Sequence, residues 1–284
     1  MTESFRPSQG QLTLPPQNPV APRAKPSGAA QFFGRTAEML RFAGGTIKDL
    51  PTVRLYASEV FAQAGVIILS SALVLWFMEF MLGAVLGIET HYLFRQMGAA
   101  SYVGAVPAIF ATRGASETMW GWILSAKVGC GIVAEIGSMR IGEEVDAMEV
   151  MGVNSRAYLV GTRVVASIIA MPFLYVVGFL MSFAGAYVMN VVSLKTVSEG
   201  GFFAVLWSFQ NLTDFVYAVL WAMVVTIVII LVSCFFGYTA SGGPVGVGNA
   251  TAKSMAVNMV LISVLAMAVV QLLYGNNPNA PIAN

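Results

Sequence analysis

The chain has 284 residues, of which 57% are hydrophobic and only 10% are charged. Soluble domains carry about 25% charged residues, so this composition excludes an ordinary soluble protein and predicts an integral membrane protein. The net charge of +1, without any basic run, indicates no nucleic-acid partner. Cys130 and Cys234 both lie in apolar segments, where we interpret them as small core residues rather than as a disulfide or a metal site.

The first 60 residues differ from the rest of the chain. Residues 1–31 are rich in Pro, Ser, Gln, Ala and Gly, which predicts a disordered tail. Residues 32–60 mix basic and apolar side chains, and they predict an amphipathic helix lying at the membrane interface. We expect interruptions of this helix near Gly44-Gly45 and at Pro51.

Five apolar segments approach or exceed the length of roughly 20 residues that a membrane span needs. We therefore predict an all-α polytopic membrane protein, with the transmembrane domain at residues 61–275 and a polar tail at residues 276–284. Small residues within the first and third spans predict close contact between helices. The five predicted spans cover residues 61–83, 98–134, 164–192, 215–236 and 256–274. The small residues are Gly83 and Gly87 in the first span, and Gly178, Ser182, Gly185 and Ala186 in the third.

Two features that could suggest other chemistry have simpler interpretations. The glycine-rich residues 238–254 predict a tight loop, and the pair Lys253-Ser254 lacks the preceding glycines that a phosphate-binding Walker A sequence requires. The single histidine, His91, falls in a short polar stretch that predicts a surface loop. Neither feature predicts a nucleotide or metal site.

Four ionisable residues interrupt the apolar segments, namely Glu79, Arg113, Glu117 and Lys127. Such groups at membrane depth commonly line a cavity or bind polar groups of a transported molecule, so all four are candidate pathway residues. Arg113 and Glu117 are four residues apart and predict a pair on one helix face. The alternative is an ion pair at the outer membrane surface. Pro107 and the Arg113–Glu117 region are predicted to bend the second span.

A polar island at residues 135–163 separates the second and third spans. Within it, acidic residues recur every three positions on one side of a helix and apolar residues recur on another side. The pattern predicts a short amphipathic helix over residues 143–152, outside the membrane and held by another protein, which ends at Gly152. The alternative is a solvated connection. The acidic residues are Glu143, Asp146 and Glu149, and the apolar ones are Val145, Met148 and Met151.

The stretch EIGSMRIGEEVDAMEVMGVNSRAYLVGTR resembles the signature of the MlaE/YrbE permeases, which work with MCE proteins in bacterial lipid transport. The resemblance implies that residues 135–163, here named the coupling segment, dock on the ATPase subunit of an ABC transporter. The matching positions are Glu135, Gly137, Met139, Arg140, Glu143, Glu144, Asp146, Ala147, Glu149, Val150, Met151 and Gly152. The expected ATPase-contacting residues are Glu143, Glu144, Val145, Asp146, Met148, Glu149, Met151 and Gly152.

Other stretches extend the resemblance from about residue 35 onward. Arg113 matches the arginine of the family's R-E-L-G-P, although Gly114 stands in place of its glutamate, and Lys127 stands in the family's A-G-R-x-G. The stretch GYTASGGPVGVG is similar to the actinobacterial B-type YrbE proteins. The resemblance implies a heterodimer with an A-type YrbE permease, an ABC ATPase homodimer and a periplasmic hexamer of MCE-domain proteins.

Charge distribution predicts the orientation. With the N-terminus in the cytoplasm, that side carries seven Lys/Arg in residues 1–60, three in residues 135–163, and Lys253, or eleven of the fifteen. The positive-inside rule favours this arrangement, which places the C-terminus in the periplasm of a bacterial inner-membrane protein.

The sequence and the resemblance together predict the permease subunit of an ABC-type MCE lipid importer that moves a fatty acid or a related lipid. We expect no enzymatic activity, cofactor or metal in this chain, with ATP and magnesium bound by the partner ATPase. Two alternatives are a structural membrane anchor for an MCE tunnel and an ion-coupled secondary transporter that uses the four ionisable residues as its ion path.

Overall fold

The computed structural model describes residues 28–275 of the chain and contains no β-strand among them, which confirms the all-α prediction. The chain divides into two units, residues 1–38 and 39–284, and the contacts described below lie within the second. The α-helices are α1 (Gly28–Asp49), α2 (Ala57–Gln96), α3 (Ala105–Thr112), α4 (Ala115–Leu124), α5 (Cys130–Ile141), α6 (Glu144–Val150), α7 (Thr162–Tyr187), α8 (Glu199–Ser208), α9 (Leu212–Tyr238) and α10 (Gly243–Tyr274). Leu50–Tyr56 and Ala100–Tyr102 are 3-10 turns, and Ser125–Gly129, Ala157–Gly161 and Val188–Ser193 are π-helical turns.

Five helical stretches within the described residues are long and apolar enough to cross a membrane, as predicted. The first contains α2, the second joins α4 to α5 through a π-turn, and the third joins α7 to the π-turns on both sides of it. The protein is therefore a multi-pass helical membrane protein. The five stretches are Phe33–Gln96, Ala115–Ile141, Ala157–Ser193, Leu212–Tyr238 and Gly243–Tyr274.

The N-terminal prediction is partly wrong. Helix α1 begins at Gly28, inside the range predicted to be a tail, and continues without interruption through Gly44 and Gly45. The predicted interruption at Pro51 is confirmed, because Pro51 lies in the 3-10 turn at Leu50–Tyr56. The rest of the predicted N-terminal tail and the predicted tail at residues 276–284 lie outside the described residues.

The predicted second span is also corrected. The chain forms the short helix α3 and then breaks at Arg113-Gly114, where Gly114 has φ 111°, a left-handed conformation that only glycine adopts without strain. The span itself is Ala115–Ile141 rather than residues 98–134. Pro107 lies inside α3 and does not mark the break.

The glycine-rich residues 238–254 are mostly helical, so the prediction of a loop there is wrong. Only four residues, Thr239–Gly242, connect α9 to α10. Gly242 takes a left-handed conformation with φ 88°, and Pro244 stands in the first turn of α10, where its missing N–H has no helical partner to lose. His91 is likewise not in a loop: it is a buried residue of α2, and its Nδ1 lies 2.5 Å from the hydroxyl of Thr196.

Helices α2 and α7 form the most extensive helix pair, and the predicted small residues lie at their contact. A β-carbon added to Gly83 would lie 1.7 Å from the backbone oxygen of Ser182, and one added to Gly185 would lie 2.1 Å from that of Phe80. The two backbones therefore touch directly, which is the packing that small residues allow in membranes.

Replacing Gly185 with Ala is expected to lower the free energy of unfolding by about 1–3 kcal/mol, because the new methyl group has to push two backbones apart. Gly65→Ala, on the same helix pair but with open space around its Cβ, is the matched control and should be neutral or stabilising by up to about 1 kcal/mol. Unfolding in a detergent titration measures both. Equal stability of the two variants would contradict the packing described.

The order of contacts along the helices defines two ends of the transmembrane domain. Gly121 contacts Val225 and Gly129 contacts Ser233, so the α4–α5 stretch and α9 run in the same direction, and α10 returns after a four-residue connection. One end therefore holds α6 and the α9–α10 connection. The opposite end holds Arg113 and the start of α9.

Candidate functional site

The coupling segment contains the helix that the sequence predicts, although it is shorter. Helix α6 covers Glu144–Val150 instead of residues 143–152. Glu143 precedes it in a left-handed conformation with φ 59°, and Gly152 follows it with φ 79°, so the predicted stop at Gly152 is confirmed. Asn154 then accepts a hydrogen bond from the backbone N–H of Ala157 and caps the next helical stretch.

The apolar residues of α6 do not form one ridge. Val145 is completely buried and Met148 packs against the core, so both hold α6 onto its own chain. Met151, predicted to continue their ridge, instead points outward and is 71% exposed, next to Val150, which is 88% exposed. The three-residue spacing selected Val145, Met148 and Met151 as one face of a helix and did not select Val150. That spacing assumes a regular helix through Met151, whereas α6 ends at Val150.

The acidic residues also divide into two groups. Glu143 and Glu144 are exposed. Asp146 forms a salt bridge with Arg140, and the Glu149 carboxylate accepts hydrogen bonds from Ser155 Oγ at 2.7 Å and from Tyr238 Oη at 2.9 Å. Hydrogen bonds from Ser155 and then from Tyr238 lower the pKa of Glu149, so it stays ionised at neutral pH.

Ion pairs fix both ends of the coupling segment. Glu135 and Arg163 form a salt bridge at 2.7 Å, and Arg163, which is 3% exposed, also donates to the backbone oxygen of Leu159 at 2.6 Å. Arg156 pairs with Asp49 at 2.8 Å. The first pair joins α5 to α7 across the two ends of the segment, and the second joins the segment to α1.

Beside α6 lies a groove of about 480 Å³ that is open to the outside. Its walls combine aromatic, acidic and basic groups from α1, the coupling segment and the end of α9. The lining residues are Phe42, Glu149, Gly152, Val153, Asn154, Ser155, Arg156 and Tyr238.

Three of the four candidate pathway residues, Glu79, Arg113 and Glu117, lie around the start of α4, whereas Lys127 lies apart from them. Arg113 and Glu117 do not share a helix face, because the chain breaks between them; two guanidinium nitrogens of Arg113 instead donate to one carboxylate oxygen of Asp214 at 3.2 and 2.8 Å. The Tyr274 ring lies 4.8 Å from the same guanidinium group. No local sequence pattern pointed to Asp214 as the partner, since it lies 101 residues from Arg113.

Glu79 and Glu117 come together inside the helical bundle. Both are at most 1% exposed; Ser116 donates to Glu79 at 3.0 Å, and the backbone N–H of Gly114 donates to Glu117 at 2.8 Å. Glu79 therefore does not extend to the membrane surface. Lys127 lies elsewhere, exposed on the chain at the π-turn in the middle of the second span.

The fold is that of a multi-pass membrane protein with a short, largely exposed helix between its second and third spans. The sequence model of the Permease MlaE family matches residues 60–272, so the chain belongs to the MlaE permease family. A probable ABC transporter permease of Rickettsia typhi is 30% identical over 220 residues, covering 78% of this chain and 85% of the relative.

More distant relatives extend to photosynthetic organisms. A probable ABC transporter permease of Synechocystis is 28% identical over 180 residues, covering 63% of this chain and 68% of the relative. A protein of Arabidopsis thaliana named trigalactosyldiacylglycerol 1, chloroplastic, is 27% identical over 172 residues, covering 59% of this chain and 47% of the relative. The chain is thus a permease subunit of an ABC transporter, as the signature residues predicted.

Proposed function

We propose that this permease moves a lipid across the bacterial inner membrane, with a fatty acid or a related long-chain lipid as its cargo and MCE-domain proteins as its periplasmic partners. The resemblance of the coupling segment to MlaE/YrbE permeases supports this reading. The Arabidopsis relative carries the name of a lipid, which agrees with a lipid cargo. A heterodimer with an A-type YrbE permease completes the proposed membrane part.

Exposed apolar side chains on α6 are the observation that carries the proposal. Val150 and Met151 are exposed at the C-terminal end of α6, Glu143 and Glu144 are exposed at its N-terminal end, and Val145 anchors the helix to its own chain. A short helix with an apolar pair at one end and carboxylates at the other suits a partner surface that has a small apolar pocket and nearby basic groups. That partner is the ABC ATPase, which binds ATP and magnesium; this chain contributes the docking element, on the cytoplasmic side.

Lys127 supports a polar or anionic cargo. It is the thirteenth residue of a 27-residue span and is exposed on the isolated chain. An ammonium group facing lipid tails at mid-membrane costs about 2.5–3.5 kcal/mol or more. Its face is therefore expected to line a cavity or a subunit interface, where the carboxylate or phosphate of a lipid can neutralise it.

Purification of the complex from native membranes in mild detergent tests the proposal directly. We expect an ATPase, MCE-domain proteins and a second permease to co-purify, together with a lipid identified by mass spectrometry. Lys127→Met should reduce the bound lipid at least about tenfold, whereas Lys127→Arg should retain it, because the cation then remains. A complex that contains MCE proteins but no ATPase would favour a structural anchor. Transport driven by an ion gradient alone would favour a secondary transporter.

A further inference from the structure

Three polar side chains meet where α6 approaches the end of α9. The hydroxyl of Tyr238, the last residue of α9, donates to Glu149 Oε1 at 2.9 Å, and Ser155 donates to the same oxygen at 2.7 Å. The Ser155 and Tyr238 oxygens lie 2.8 Å apart. Each hydroxyl has one proton, so when both donate to Glu149 the carboxylate receives two donors at one oxygen. Hydrogen bonds to a charged acceptor are among the stronger ones in proteins.

Tyr238 is placed to hold α6 without being part of it. Its ring packs against Phe42, with ring centroids 5.6 Å apart, and the guanidinium group of Arg140 lies 5.9 Å from the centre of the ring. Arg140 in turn pairs with Asp146 of α6. The ring is therefore fixed by packing, and only its hydroxyl reaches the coupling helix.

Helix α9 connects this contact to the opposite end of the domain. It has 27 residues, contains no proline, and its single glycine, Gly237, lies beside Tyr238. At 1.5 Å per residue it is roughly 40 Å long, and an uninterrupted helix of this kind moves as one rod. Near its first turn, Asp214 pairs with Arg113, which stands at the break between α3 and α4.

We propose that Tyr238 is a positioning residue that transmits movement of α6 to α9, and through α9 to the Arg113 junction. This inference rests on the proposed function, since it requires an ATPase that moves α6. The ion pair between Arg140 and Asp146 attaches α6 to α5, and Val145 is buried in the core. The hydrogen bond from the Tyr238 hydroxyl to Glu149 adds the contact through which α9 moves together with α6.

Tyr238→Phe is the test, because it keeps the ring packing and removes only the hydroxyl. We expect the variant to fold and to bind the ATPase in the same ratio as the unmodified chain. The amount of lipid moved per ATP hydrolysed should fall about tenfold, because a hydrogen bond of ordinary strength to a charged group accounts for a factor of that size. Tyr158→Phe is the matched control. Tyr158 belongs to the same segment, and its ring packs edge-on against Tyr56, so its loss should leave the transport ratio unchanged.

A second readout follows the carboxylate itself. Removing the Tyr238 donor should raise the pKa of Glu149, and removing Ser155 should raise it further, because both now lower it. The two hydrogen bonds stabilise the ionised carboxylate, and this is why its pKa is lowered. Their stabilisation is therefore present at neutral pH and is lost as the pH falls through the lowered pKa of Glu149. Carboxylate signals from isotope-labelled glutamate in a pH titration report this shift, which a purely steric role of the ring would not produce.

The outcomes are distinct. Normal transport per ATP in Tyr238→Phe would overturn the inference, and so would loss of ATPase binding, because Tyr238 would then belong to the docking surface. If Tyr238→Phe does not fold, Ser155→Ala takes its place, because it removes the hydroxyl that contacts both Glu149 and Tyr238. It should also lower the lipid moved per ATP hydrolysed, and normal transport would again overturn the inference. Absence of an ATPase from the unmodified complex would instead refute the proposed function, whatever Tyr238 does.

Discussion

Replacing Val150 and Met151 together with Asp is expected to abolish ATPase association and lipid uptake. These side chains are 88% and 71% exposed, so the substitution leaves the core of the permease intact. In the proposed complex they would be buried in the ATPase, where two unpaired carboxylates would each cost several kcal/mol. Co-purification of the ATPase from detergent-solubilised membranes and a lipid-uptake assay measure the two effects.

The matched control for this pair is Val150→Leu with Met151→Leu. It preserves the apolar surface and should retain both ATPase binding and uptake. Thermal unfolding of the isolated permease should be the same for both double variants, because neither side chain belongs to the core. If the Asp variant still bound the ATPase normally, α6 would not be the docking element.

Replacing Asp214 with Asn is expected to lower the free energy of unfolding by about 3 kcal/mol. Asp214 is 2% exposed and Arg113 12%, so the substitution leaves a nearly buried guanidinium group without its carboxylate. A denaturant titration in detergent measures the loss. Glu199→Gln, an exposed acid on α8, is the control and should change stability by less than about 0.5 kcal/mol.

A charge swap separates the ion pair from other roles of these residues. Arg113→Asp alone should be at least as destabilising as Asp214→Asn, because it places two carboxylates together. Adding Asp214→Arg should recover part of the lost stability through a reversed pair. Single variants as stable as the unmodified chain, or a double variant no more stable than Arg113→Asp alone, would contradict the importance of this contact.

The number and type of the membrane helices could be predicted from the sequence because apolar length alone determines them. Helix boundaries were less predictable where glycine is abundant. The run around Gly246 indicated a loop, yet Gly242 and Pro244 begin a helix there, and its buried residues in this stretch are Val247 and Ser254. Local propensity is a weak guide when even one face of a helix is held by tertiary contacts.

Pairings across the fold were the least predictable part. The spacing of Arg113 and Glu117 suggested a pair on one helix, but the left-handed Gly114 ends that helix between them, and the two residues line one small cavity from either side of the break. The hydrogen bond between Tyr238 and Glu149 joins residues that are 89 positions apart, and no local sequence pattern predicts it. The polar island at residues 135–163 could be predicted, because a run of charged residues between two apolar segments has to lie outside the membrane.

Site-directed crosslinking at Met151 tests the central claim most directly. With Cys130 and Cys234 replaced by Ala, a single cysteine at position 151 should crosslink to the ATPase in intact cells and resist a membrane-impermeant maleimide added from outside. A single cysteine at Leu212, which is 78% exposed at the opposite end of the domain, serves as the orientation control and should react with that reagent. Labelling of position 151 from outside, or its failure to crosslink to any ATPase, would contradict a cytoplasmic coupling segment.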